Sequence, residues 1–232
     1  MAAHPVSAAG VVSFNYDVNG GVPSGATDTA GVVDAAFWNS SFALDGNAGG
    51  GNSTYSDLND DSGNPTTLDI TTSTAFLFSI GGAPGQDADG TWNKSMLNGY
   101  LNSGSTSSPA VSSFTVAEIP YARYHIYVYF GADDASRTGT VSDGTTTYDF
   151  NVLDNMVAGA NALFAQTTST GGAQPEANYA VFSDLTGSSQ TITADVPAFG
   201  GLSGIQIVEV PEPSAALLGG LGILGLLRRR RA

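Results

Sequence analysis

The segment that most constrains the fold is residues 124–130, YHIYVYF. Aromatic and branched side chains alternate there at period two, as in an extended strand. Tyr124, Ile126, Val128 and Phe130 fall on one face, and His125, Tyr127 and Tyr129 on the other. Neither face carries a carboxylate, lysine or arginine, so the strand belongs at the centre of a sheet, covered on both sides. Any fold for this chain has to supply strands along both its edges and apolar layers over both its faces.

Other segments offer those neighbours. Val12, Phe14, Tyr16 and Val18 alternate, Leu68 and Ile70 mark a further strand, and residues 75–80 (AFLFSI) read as a more buried one. Val111, Phe114 and Val116 suggest a strand with a bulge, and residues 179–182, 191–196 and 205–210 suggest three more. Asp143-Gly144 lies between strand-like residues 138–142 and 145–152, a hairpin signal in which both turn residues take positive φ. Residues 93–102 put Met96, Leu97, Tyr100 and Leu101 on one helical face, with Gly104 just beyond. About nine short strands with so little helix predict an all-β fold, an antiparallel β-sandwich of jelly-roll type. The expected organisation is one domain over residues 11–210, preceded at 1–10 by the remnant of an export signal region and followed at 211–232 by a tail.

Thirty glycines and only 12% charged residues could suggest disorder, but a 41% hydrophobic content supplies a core. The formal charge of −14 is unevenly placed: four of the seven basic residues are Arg228, Arg229, Arg230 and Arg231. Only Lys94, Arg123 and Arg137 face the remaining carboxylates. Such a surface repels phosphate backbones, so no nucleic-acid partner is expected. With no cysteine there is neither a disulfide framework nor a thiolate metal site.

The tail has three parts: Val210-Pro211-Glu212-Pro213-Ser214, an uncharged run over 215–227, and the four arginines. As a C-terminal apolar helix, residues 214–227 would span roughly 21 Å at about 1.5 Å per residue, against about 30 Å for a hydrocarbon core. Glycines at 219, 220, 222 and 225 weaken that helix further. The run therefore suits transient association with the inner membrane, its arginines on the cytoplasmic side. Pro211 and Pro213 hold the preceding site extended, as a protease substrate needs. This three-part order resembles the PEP-CTERM sorting signal. The resemblance implies a Gram-negative host, a membrane-bound exosortase as processing partner, export machinery, and delivery to the cell envelope or extracellular matrix. At the other end no basic and apolar leader is present, while Val6-Ser7-Ala8 resembles a signal-peptidase site. The expectation is that the true start lies upstream.

The body is similar, more loosely, to galactose-binding-like sandwiches. The pieces that carry the likeness are Asn15, Phe37-Trp38-Asn39, residues 58–63 (LNDDSG), residues 96–101, the 124–130 strand, Asn178-Tyr179 and residues 204–207 (GIQI).

No catalytic motif stands out. His4 and His125 are the only histidines, and neither HExxH nor GxSxG occurs, so the expectation is a protein that is not an enzyme. Paired carboxylates of glycosidase kind have no local sequence signature to mark them. Two binding sites can be named. Trp38 and Trp92, each followed by an asparagine (Asn39, Asn93), could stack on sugar rings of an extracellular polysaccharide. The ordinary role of a sandwich tryptophan is to plug the core. Asp57, Asn59 and Asp61 offer hard oxygens at alternating positions, a possible Ca2+ site, although the spacing is not that of an EF-hand. The ordinary role of such a cluster is a solvated turn. The expected function is structural or adhesive at the cell surface, with carbohydrate binding as the alternative and a glycan-active enzyme behind both.

Overall fold

The computed structural model describes residues 10–16, 25–41, 52–74, 76–81, 85–105, 108–109, 111–135, 137–153, 161–197 and 199–211. In chain order the strands are β1 (Val11–Asn15), β2 (Asn39–Ser40), β3 (Ser53–Tyr55), β4 (Asp69–Ser73), β5 (Phe76–Ser79), β6 (Gly99–Asn102), β7 (Gly104–Ser105), β8 (Ser108–Pro109) and β9 (Ser112–Ala117). They continue with β10 (Tyr124–Ala132), β11 (Thr138–Ser142), β12 (Thr147–Val152), β13 (Glu176–Ala177), β14 (Tyr179–Leu185), β15 (Gln190–Asp195) and β16 (Gly200–Glu209). A helix, α1 (Asn93–Asn98), precedes β6.

The strand at 124–130 is central, as its two apolar faces require. β10 lies between β14 and β16 in the first sheet, whose order is β14-β10-β16-β1-β2, with β6 and then β5 joined to the glycine-rich start of β16. The second sheet runs β13-β12-β11-β15-β9-β4-β3. The sheets are mixed rather than wholly antiparallel, because β1–β2 and β12–β13 pair in parallel.

The inner faces of the two sheets meet in one core. Val12 and Phe14 of β1, Ile126, Val128 and Phe130 of β10, and Ile205 and Ile207 of β16 pack with Ile70, Phe114, Val116, Val141, Phe150 and Ile192 of the second sheet. Phe130 stacks on Phe150 with ring centroids 3.8 Å apart, and Phe14 meets Phe114 edge-on at 5.8 Å. Each such ring removes a large apolar surface from water, at about 25 cal/mol per Å². Contacts across the core therefore hold the layers together as a β-sandwich.

The other face of the first sheet is covered too. Trp38, Met96, Leu97, Tyr129 and Ala30 form a second buried cluster, with Trp92, Phe164 and Tyr179 at its margin. Gln206 of β16 ties down the covering segment, residues 30–38. Its Nε2 donates to Ser13 Oγ and to Val33 O, and its Oε1 accepts from Tyr129 Oη and from Val33 N. Tyr129 Oη in turn accepts from Val32 N. Buried polar groups must find such partners or lose about 1–3 kcal/mol apiece.

Several local expectations are corrected. The helix stops at Asn98, because Gly99 is extended (φ −94, ψ 149) and residues 99–102 leave the helix to pair with β5 and β16. No bulge interrupts β9; Phe114 and Val116 point inward in continuous register, and Val111 lies outside the strand, 52% exposed. At the β11–β12 hairpin only Gly144 has positive φ. The first paired residues are Ser142 and Thr147, and Asp143 Oδ1 instead accepts from the N–H groups of Thr145 and Thr146. Val18 and the apolar run of the tail lie outside the described residues. Among the described residues no helix is long and apolar enough to cross a membrane.

Candidate functional site

Four places bear on function: the junction with the tail, the two tryptophan–asparagine pairs, the acidic loop, and the outer face of the second sheet.

The junction is built from the ends of three strands. Glu209, the last residue of β16, donates its N–H to Gly10 O, and its carboxylate accepts from Gly10 N. Val210 N donates to Arg123 O just before β10. Pro211 is exposed and lies beyond these bonds. Residues 10 and 210 thus leave the sandwich side by side. Tyr121 sits at this end, and burial, followed by the charges of Glu209, Asp60 and Asp61, pushes its phenol up to about 12. Glu212, Pro213 and Arg228 to Arg231 lie outside the described residues.

Trp38 is closed to a ligand, whereas Trp92 is half-buried. Trp38 is 2% exposed, and its Nε1 donates to the carbonyls of Ala30 and Ala35. Asn39 beside it spends its amide inside the fold, with Nδ2 donating to Ser13 O and Asn59 O and Oδ1 accepting from Asn59 N. Trp92 is half-buried against the second cluster. Asn93 accepts from Gly31 N and donates to Thr91 Oγ1. Buried and bonded inside the fold, Trp38 and Asn39 are not placed to stack on or bond a sugar. These residues plug and stitch the covered face of the first sheet.

The acidic loop is a turn sewn to β1. Asp57 has positive φ and an exposed side chain; its N–H donates to Asp69 Oδ1. Asp60 Oδ1 accepts from Ser62 N and Asn64 N, and Asp61 N donates to Val11 O. Asn59 is held through its backbone by Asn39. Among the described residues no three His, Asp or Glu side chains gather as a metal-ligand set. Asp57, Asn59 and Asp61 thus lie in a backbone-bonded turn, the role that Asp and Asn commonly play.

The outer face of the second sheet carries a pattern that strand-by-strand reading missed. Thr54, Thr71, Thr115 and Thr191 stand opposite one another across β3, β4, β9 and β15. A second row runs Ser73, Ser113, Thr193, Ser142 and Thr147 across β4, β9, β15, β11 and β12. Every member is exposed or half-buried. Thr54 and Thr71 hydroxyls lie 2.9 Å apart, and those of Thr115 and Thr191 3.0 Å apart. Along each row no residue is charged. The only signal in the sequence was the repeated spacing of hydroxyls two apart, as in residues 113–115 (SFT), 191–193 (TIT) and 138–142 (TGTVS).

Comparison with known proteins bears on one end of the chain. Residues 209–231 match the PEP-CTERM protein-sorting motif, so the chain carries the C-terminal sorting signal of an exported protein. The match begins on the residue that closes β16. No curated protein matches the chain.

Proposed function

We propose that this is an exported, non-catalytic protein of the bacterial cell surface or extracellular matrix. In this reading exosortase processes its C-terminal signal and a jelly-roll-like sandwich serves a structural or adhesive role. The sorting motif at 209–231 carries the proposal. The place where the motif starts supports it further. β16 is hydrogen-bonded through Val210, and Pro211-Glu212-Pro213 follow at once, so cutting within the tail would leave every described strand of both sheets in place. The tail's short apolar run and arginines suit passage through the inner membrane to a processing enzyme, not permanent residence there.

The test is expression of the full chain in a host with and without exosortase, followed by mass spectrometry of the C-terminus and cell fractionation. The expected result is a chain shortened within the tail and released from the inner membrane only where exosortase is present. Replacing Pro211, Glu212 and Pro213 by alanine should abolish shortening while the body still folds. Identical C-termini in both hosts would overturn the proposal.

A further inference from the structure

We propose that the outer face of the second sheet binds a cationic amino-sugar polysaccharide laid across the strands along the two hydroxyl rows; this rests on the reading that the body is delivered outside the cell. The rows place one hydroxyl on each successive strand, and strands in a sheet lie about 4.7–4.9 Å apart. That step is comparable to the advance of one sugar in an extended polymer. Sheet twist favours a linear ligand over a flat lattice: adjacent strands rotate by roughly 20–25°, so a plane loses register across five strands while a line across them does not.

Charge selects among polymers. On the same face Asp69 follows the Thr71 position outward along β4, Asp195 follows Thr193 along β15, and Asp149 follows Thr147 along β12. Asp195 and Asp149 flank Thr140 in register, so two carboxylates border the second row. No lysine or arginine occurs in β3, β4, β9, β15, β11 or β12. A surface of nine hydroxyls bordered by three carboxylates complements a polymer that carries both hydroxyl and ammonium groups, and it repels a polyanion. No aromatic platform occupies the rows, so each sugar gains little. A hydroxyl contact replaces one with water, and an exposed ion pair is weak. Binding therefore comes from repetition along the polymer.

The experiment is affinity electrophoresis of the full chain through gels containing partially de-N-acetylated chitin, soluble fully acetylated chitin oligomers, or alginate. The expected result is retardation by the de-N-acetylated polymer alone, growing with chain length and lost at high salt as charges are screened. The triple variant Thr71→Val, Thr115→Val, Thr191→Val and the double variant Asp195→Asn, Asp149→Asn should each weaken retardation by about tenfold, a loss of about 1.4 kcal/mol. A double variant at remote carboxylates, Asp28→Asn with Asp34→Asn, removes the same charge and should leave retardation nearly unchanged. Circular dichroism confirms that each variant is folded. Equal weakening by the remote pair, equal retardation by the acetylated oligomers, or no retardation at all would overturn the proposal. Exosortase processing is read separately at the C-terminus, so a blank gel with normal processing removes this binding surface and leaves the export reading standing.

Discussion

The two sheets spend their outer faces in opposite ways. On the first, Trp38, Met96, Leu97 and Tyr129 are buried under the covering segment and α1, and Gln206 bonds Ser13, Val33 and Tyr129 there. On the second, threonines and serines stand in open rows with no layer of described residues packed over them. The first sheet is thus buried on both sides and gains stability there. The second leaves its outer face exposed or half-buried among the described residues. The tryptophan–asparagine pairs that the sequence offered for binding belong to the first kind of surface, because aromatic residues attract attention and also seek burial.

This contrast can be broken experimentally, beginning with the largest expected effect. Gly201 of β16 has no room for a side chain, since a Cβ there would run into the backbone carbonyl of Leu101 on β6. Gly201→Ala should cost about 4 kcal/mol or more, in the range kept for severe backbone conflicts, measured by urea unfolding. Trp38→Ala should cost about 3–5 kcal/mol as a core truncation. A cost below ~1 kcal/mol would mean that Trp38 is not the plug its burial implies.

Alkaline pH gives an intermediate effect that originates in the buried aromatic side. Burial raises the phenols of Tyr129, Tyr124, Tyr179 and Tyr100 on the first sheet, and Tyr121 reaches about 12. Each folded pKa lies above its ordinary value of 10.0, so the folded state holds these protons more tightly. Their contribution is complete below about pH 10 and is lost as pH rises from there through the folded values. The unfolding midpoint should be flat to about pH 10 and then fall, with tyrosinate absorbance appearing on unfolding. The smallest effect is expected on the open face: Thr115→Val should change stability by no more than about 0.5 kcal/mol. A larger loss would show that the hydroxyl rows hold the fold together.

Much of this architecture can be read from local pattern. The run at 124–130 predicted its own central place, and the strands near Val12, Leu68, Thr191 and Ile205 appear close to where alternation puts them. The end of α1 was not legible. Met96, Leu97, Tyr100 and Leu101 fit a helical face, yet residues 99–102 gain two strand partners by leaving it. The Asp143 turn was legible as a turn but not in its geometry, which Asp143 settles through two bonds to the backbone. The tail motif was legible as a whole, because a sorting signal is read by its order along the chain.

The sequence by itself determined the strand periodicity, the central place of residues 124–130, the acidic body and the sorting signal at 209–231. All of these depend on neighbours in the chain or on simple sums over it. Only the tertiary structure decided that Trp38 is buried, that Gln206 meets Tyr129 across 77 positions, and that four threonines from four separate segments form one row. Those outcomes depend on strand order and register. Both are set by how distant apolar faces pack, and no local spacing encodes that.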